Sequence, residues 1–261
     1  MARVKMTNKK ILTEAKQLRH HKHIAEPWKH QKSVSVVRSL IRPQAVSIRM
    51  NIADKINSGE YNRLEVSFRK ALYPILEQVS TSNSEYTNRK VKGLFRSFYY
   101  KAFNLGVKTA MGSTAVSQHQ MDNEDRRWME TFLRKEFDYW KNFMEDIKNG
   151  RGKLDYKRRL NMYVDTLRSA YNSGKVLHAP PNTVYDWVMH PGESCKHCLF
   201  LKNNSPYLKS NLPTIPSSGD TQCKSNCNCQ LKPRVVSIVE YLKIKKTAKT
   251  RDALLRQLRA L

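Results

Sequence analysis

The chain has 261 residues, with 48 Lys or Arg against 22 Asp or Glu and a formal net charge of +26. That length holds one large or two modest domains, and a surplus of this size favours a polyanionic partner, nucleic acid ahead of an acidic membrane or acidic protein. No run of 18 apolar residues occurs, so no membrane-spanning segment is expected, and the basic start from Met1 to Leu18 lacks the apolar core of a secretion signal.

Residues 1–42 read as a basic arm. Lys5, Lys9, Lys10 and Arg19 are its candidates for phosphate contacts. Ile11, Ala15 and Leu18 recur at helical spacing, and Pro27 interrupts any longer helix. His20, His21, His23 and His30 have no Cys or carboxylate at metal spacing beside them, so they read as part of a solvated basic segment.

Residues 43–112 read as a helical region. Pro43 suits a first helical position, Ile48, Ile52 and Ile56 mark one apolar face, and Asn57-Ser58-Gly59 is expected to end the helix. A second helix follows with Leu64, Phe68, Leu72, Ile75, Leu76 and Val79, and Pro74 is expected to kink it. A third runs from Ser84 to Met111. Its Phe95, Phe98, Tyr99 and Phe103 could stack bases, but Val91, Leu94, Phe98 and Phe103 fall on or near one face, the pattern of a core stripe.

Residues 113–121 are small and polar, a linker. Residues 122–174 read as a helical hairpin. Its first helix, Asp122 to Lys148, opens on Asp122, Glu124 and Asp125, which suit a helix N-terminus. Trp128, Phe132, Leu133, Phe137, Trp140, Met144 and Ile147 form its apolar stripe, and Asn149-Gly150 ends it. Glu130, Glu136, Asp138, Glu145 and Asp146 read as a solvated face, not as catalytic carboxylates. The second helix, Leu154 to Ser173, is expected to stop at Gly174. Arg151, Lys157, Arg158 and Arg159, in the turn and on the early helix, are further phosphate candidates.

Residues 175–239 form a cysteine module that holds all five cysteines: Cys195-x2-Cys198, then Cys223-x3-Cys227-x-Cys229. Thiolates two residues apart on a turn share one ion, and two such turns complete a tetrahedron. Disulfides would leave one cysteine over, and nothing indicates an oxidising compartment. Zinc is the expected metal for a sulfur-rich four-coordinate site, and an iron–sulfur cluster would use the same thiolates. Cys195, Cys198, Cys223 and Cys227 are the preferred ligands, with Cys229 as the spare. Five thiols for four positions favour a closed, structural site over an open catalytic one, so no enzyme is expected. His190 and Glu193 precede Cys195-x2-Cys198 but lack the H-x-E…P-C-x2-C arrangement of a deaminase. Thr183 to Met189 has strand composition, Lys202 to Asp220 reads as a loop pinned at both ends, and Arg234 to Ile244 as strand or helix. Residues 240–261 are a basic tail helix, with Leu254, Leu255 and Leu258 on one face and Lys243, Lys245 and Lys246 as phosphate candidates.

The module resembles the C-terminal part of the Mu F-like minor head proteins of tailed phages. The resemblance rests on Cys195, Cys198, Leu199 and Leu201, on Ser205-Pro206-Tyr207, Pro213 and Pro216, and on Asn226-Cys227-Asn228-Cys229. Ala170, Asn172 and Gly174 match the end of the family's preceding helix. Lys224 stands where the family often has His, and Asn228 where it has Arg; Cys223 is placed to supply the missing ligand. The resemblance covers about residues 160–234. It implies a structural component inside the capsid near the portal, present in several copies, involved in head morphogenesis and made in the host cytoplasm. Its partners would be portal and capsid proteins, and the charge adds non-specific double-stranded DNA. The alternative is a zinc-containing nucleic-acid-binding regulator or processing factor outside virions. The expected fold is mainly α, a helical N-terminal region followed by a small α+β zinc-binding module.

Overall fold

The structure is a computed structural model that describes residues 42–78, 84–113, 121–149, 155–190, 195–218, 220–223 and 227–248. It is mainly helical with one small sheet, as expected. In chain order it has helix α1 (Pro43–Gln78), α2 (Ser84–Ala110), α3 (Asn123–Lys148), α4 (Tyr156–His178), strand β1 (Thr183–Val188), α5 (Lys196–Asn203), β2 (Tyr207–Leu208) and β3 (Gln230–Val235). A further helix, α6, covers residues 238–248. The arm expected at 1–42, apart from Arg42, most of the linker at 113–121 and the tail beyond 248 lie outside the described residues.

Helices α1 to α4 form an up-down-up-down bundle. Side-chain contacts give the directions. Asn57 on α1 donates to Thr109 on α2 at 2.9 Å while Phe68 meets Phe98, 5.2 Å between centroids, so these helices run antiparallel. Trp140 on α3 donates to Asn88 on α2, and Phe103 stacks on Trp128, again antiparallel. Arg159 lies over Phe143, Trp140 packs on Tyr163 and His178 meets Asp125, which sets α3 against α4 as the expected hairpin. Helices α2 and α4 therefore run parallel, and they approach most closely of all. Bulky rings hold α3 at a distance, whereas Gly106 and Gly174 let α2 and α4 touch backbone to backbone. The aromatics of α2 are core: Phe95, Tyr99 and Phe103 are fully buried together with Val91, while Leu94 and Phe98, expected on the same stripe, are half-buried and pack against it.

Three expectations are corrected. First, α1 does not break at Asn57-Ser58-Gly59. Its buried face is Met50, Ala53, Asn57, Tyr61, Phe68, Leu72 and Ile75, a stripe that runs straight through that triplet. Asn57 is satisfied by Thr109 and by the carbonyl of Ser113, so it serves the bundle instead of a turn. The face marked by Ile48, Ile52 and Ile56 is the outer one, with these residues 53–59% exposed. Second, α4 continues through Gly174 to His178, because Gly174 packs on the Phe103 carbonyl. Its Asp155 cap accepts from the Arg158 N–H at 2.8 Å. Third, Glu136 is not on a solvated face. It is 6% exposed and lies in one stripe with Met129, Leu133, Trp140 and Phe143.

The N-terminus of α3 is as expected: Asp122 caps it and forms a reciprocal box with Asp125. The module begins without a break in the chain path, since Val176 on α4 belongs to the core that also holds Tyr185, Trp187 and three cysteines. β1 is the centre of an antiparallel sheet in the order β2-β1-β3, with Thr183 opposite Val235 and Val188 opposite Gln230. Pro233 sits in an outer strand, where a missing N–H is tolerated. The loop expected from Lys202 to Asp220 contains β2 and a short 3-10 turn at Lys209–Asn211.

Candidate metal centre

The two cysteine runs meet beside Trp187. Cys195 is the N-cap of α5, and its sulfur accepts the Cys198 N–H at 3.4 Å. That cap places the side chains of the C-x2-C pair on the same side of one tight turn. The second run arrives from the loop before β3. Cys223 lies 3.5 Å from Cys195 and 3.6 Å from Cys198, sulfur to sulfur, and Cys227 lies 3.6 Å from Cys198. Four thiolates around one zinc at bonds of about 2.3 Å would stand about 3.8 Å apart, so the spacing suits a single tetrahedral ion.

All five cysteines take part in groups that could hold a metal ion. Cys195, Cys198 and Cys223 form one, and Cys198, Cys227 and Cys229 the other, each within 4.8 Å. Cys198 is common to both and is fully buried. Cys229, expected as a spare, also lies within 4.8 Å of Cys198 and Cys227. Among the described residues, the ligand groups consist of cysteine alone.

The thiols are not electrostatically alike. Burial pushes the Cys195 thiol up, but the Cys198 N–H and the neighbouring thiols outweigh it and bring it down to about 7. Burial, reinforced by the surrounding sulfurs, drives Cys198 far above the usual thiol range. Ionising several thiols at such distances requires a cation among them, which is the charge balance a metal supplies.

The basic candidates distribute differently. Lys5, Lys9, Lys10, Arg19 and Arg151 fall outside the described residues. Lys157 and Arg158 are exposed on the first turns of α4, and Lys243, Lys245 and Lys246 are exposed on α6. Arg159 instead stacks over Phe143 at 4.2 Å, inside the α3–α4 contact.

Among the described residues, buried ionisable groups that the sequence reading missed include Lys175, paired with Asp54 at 2.8 Å, and two further features. His178 and Asp125 pair at 2.7 Å with 5% and 4% exposure, joining the end of α4 to the start of α3. Glu136 is the other. Its signal was present in the spacing, because positions 129, 133, 136, 140 and 143 trace one helical face whatever residue occupies them. No helix among the described residues is long and apolar enough to cross a membrane. No family model, curated protein or solved structure matches the chain.

Proposed function

We propose that the protein is a phage minor head protein, a structural component inside the capsid near the portal that contacts packaged DNA. The observation that supports this most is the cysteine cluster. It is built of sulfur alone and seated in the core of a small module continuous with a helical bundle, next to the residues that carry the Mu F-like resemblance. Such a centre suits a structural zinc ion. Its ligands would be Cys198 with Cys195, Cys223 and Cys227, or with Cys229 in exchange for one of these, and the ion would supply folding free energy to a core too small to persist alone.

The charge supports the second half of the reading. A chain with a net charge of +26 keeps exposed lysines and arginines on α4 and α6 and bases in both terminal segments, which neutralise phosphates without reading sequence. The bundle and the module then serve as the protein-docking body, with portal and capsid proteins as partners and several copies in each particle.

The test is direct. Particles are purified from an infected culture, treated with nuclease and protease, opened, and probed for this chain and for zinc bound to it. Protection inside intact heads is the expected result. A chain found only outside particles and bound to nucleic acid overturns the reading in favour of a zinc-containing regulator.

A further inference from the structure

Between α3, α4 and the loop after β2 lies a cleft of about 460 Å³. It sits where the bundle meets the cysteine module, and contact regions of this kind are where small-molecule sites tend to form. Its size is within the usual range for such sites. Trp128 and Phe132 of α3 and Leu212 and Ile215 of the loop give it apolar walls, and Glu136 and Ser173 line its helical side.

Glu136 is the feature that needs a partner. It is 6% exposed, and no ion pair among the described residues includes it. Burial raises its carboxyl to about 7 against the opposing pull of the neighbouring Thr166 hydroxyl and of Lys135, and that hydroxyl donates its proton to the Met162 carbonyl at 3.0 Å. Lys135, the adjacent cation, is turned to Asp220 at 3.7 Å. Lys209, at the rim, donates to the Leu177 carbonyl at 2.6 Å. The Ser173 hydroxyl spends its proton on the Ser169 carbonyl at 2.8 Å, so it offers lone pairs to a guest. The cleft thus presents a buried carboxyl and a hydroxyl acceptor between aromatic and aliphatic walls, with Lys135 held towards Asp220 and Lys209 towards the Leu177 carbonyl.

We propose that this cleft binds a small organic cation, a primary amine on an apolar stem, with Glu136 as its counter-ion. The ammonium donates to the Glu136 carboxylate, and the apolar stem runs along α3 against Phe132 and Trp128. An anionic guest would be repelled by the ionised carboxylate, whereas a cation favours ionisation of the carboxyl and a neutral guest does not. The inference stands independently of the head-protein reading.

The test uses the full-length chain and two amines, phenethylamine and cadaverine, with 2-phenylethanol as the neutral match to the first. Calorimetric titration is expected to show saturable binding of at least one amine, weaker by about tenfold or more in Glu136→Gln. Glu145→Gln, an exposed carboxylate on the same helix, is expected to bind like the parent. The alcohol is expected to bind about tenfold or more weakly than its amine. Nuclear Overhauser contacts from the phenethylamine ring to the Trp128 indole locate the guest in the parent protein, whatever the fate of the variant. Equal amine affinity in Glu136→Gln, equal affinity for the alcohol, or no binding of either amine below about 10 mM overturns the proposal.

Discussion

Gly106 and Gly174 hold α2 and α4 together through reciprocal backbone contacts. A Cβ on Gly106 would stand 2.0 Å from the Tyr171 carbonyl oxygen, and one on Gly174 would stand 2.2 Å from that of Phe103. Neither oxygen belongs to a side chain that could swing away. Both contacts fall in a layer that also contains Thr109, Tyr171, Asp54 and Lys175, joined by hydrogen bonds of 2.8–3.1 Å. Forcing the helices apart would therefore loosen α1 as well.

Gly106→Ala and Gly174→Ala are each expected to destabilise the protein by about 1–3 kcal/mol, as overpacking does. Gly59→Ala and Gly93→Ala, where nothing lies within 4 Å of the new methyl, are expected to be neutral or stabilising by up to about 1 kcal/mol. Urea unfolding followed by far-UV circular dichroism separates the two pairs. Parent-like midpoints for the first pair would contradict the close approach.

Cys198 belongs to both sulfur groups, so Cys198→Ser is expected to abolish metal binding altogether, with one zinc per chain in the parent. The free energy at stake is about 10–16 kcal/mol of apparent binding, coupled to folding of the module. Trp187 packs beside Cys198, so its environment should become more polar while the far-UV helical signal persists. Elemental analysis and tryptophan emission of parent and variant check this. A stoichiometric ion retained by Cys198→Ser would refute it.

Glu136 is expected to make stability fall as pH rises. Its carboxyl goes from 4.5 to about 7 on folding, through burial. Below the lower value both states are protonated and nothing is lost. Between the two, the unfolded chain ionises while the folded one keeps its proton, so unfolding becomes easier, by about 3 kcal/mol in full. The stability of Glu136→Gln relative to the parent should rise by that amount between about pH 4 and pH 8. Taking the difference cancels Asp165, which burial likewise raises to about 6. Denaturant titrations at several pH values give the curve, and a flat difference would show that Glu136 ionises normally.

DNA affinity is expected to be independent of sequence and to fall with salt at about −0.9 in log–log slope per phosphate neutralised. Replacing Lys243, Lys245 and Lys246 on α6 with Gln should flatten that slope by about 2–3 units. Arg159→Gln should leave the slope nearly unchanged and lower stability by about 0.5–2 kcal/mol, because its guanidinium lies on Phe143. Fluorescence anisotropy over a salt series measures the slopes. A slope unchanged in the triple variant would move the DNA contact away from α6.

Local spacing carried much of this protein. The capped start of α3 at Asp122, the core stripe of α2, the strand at Thr183–Val188 and the sharing of one site by the two cysteine runs were all readable, because each depends on residues a few positions apart. On α1, spacing marked the wrong face of the first turns. The isoleucines at 48, 52 and 56 are the more apolar, yet Met50, Ala53, Asn57 and Tyr61 are buried, since only their face continues in register with Phe68, Leu72 and Ile75. Tertiary structure also decided the roles of Gly174 and Glu136. A glycine in a helix costs about 1 kcal/mol locally, and only the facing Phe103 carbonyl, distant in sequence, offsets that cost and carries α4 on to His178. A glutamate on a helix is solvated by default. The spacing of Met129, Leu133, Trp140 and Phe143 marked the face on which Glu136 lies, but it is enclosed only because α4 and the module close over that face, packing between segments distant in sequence.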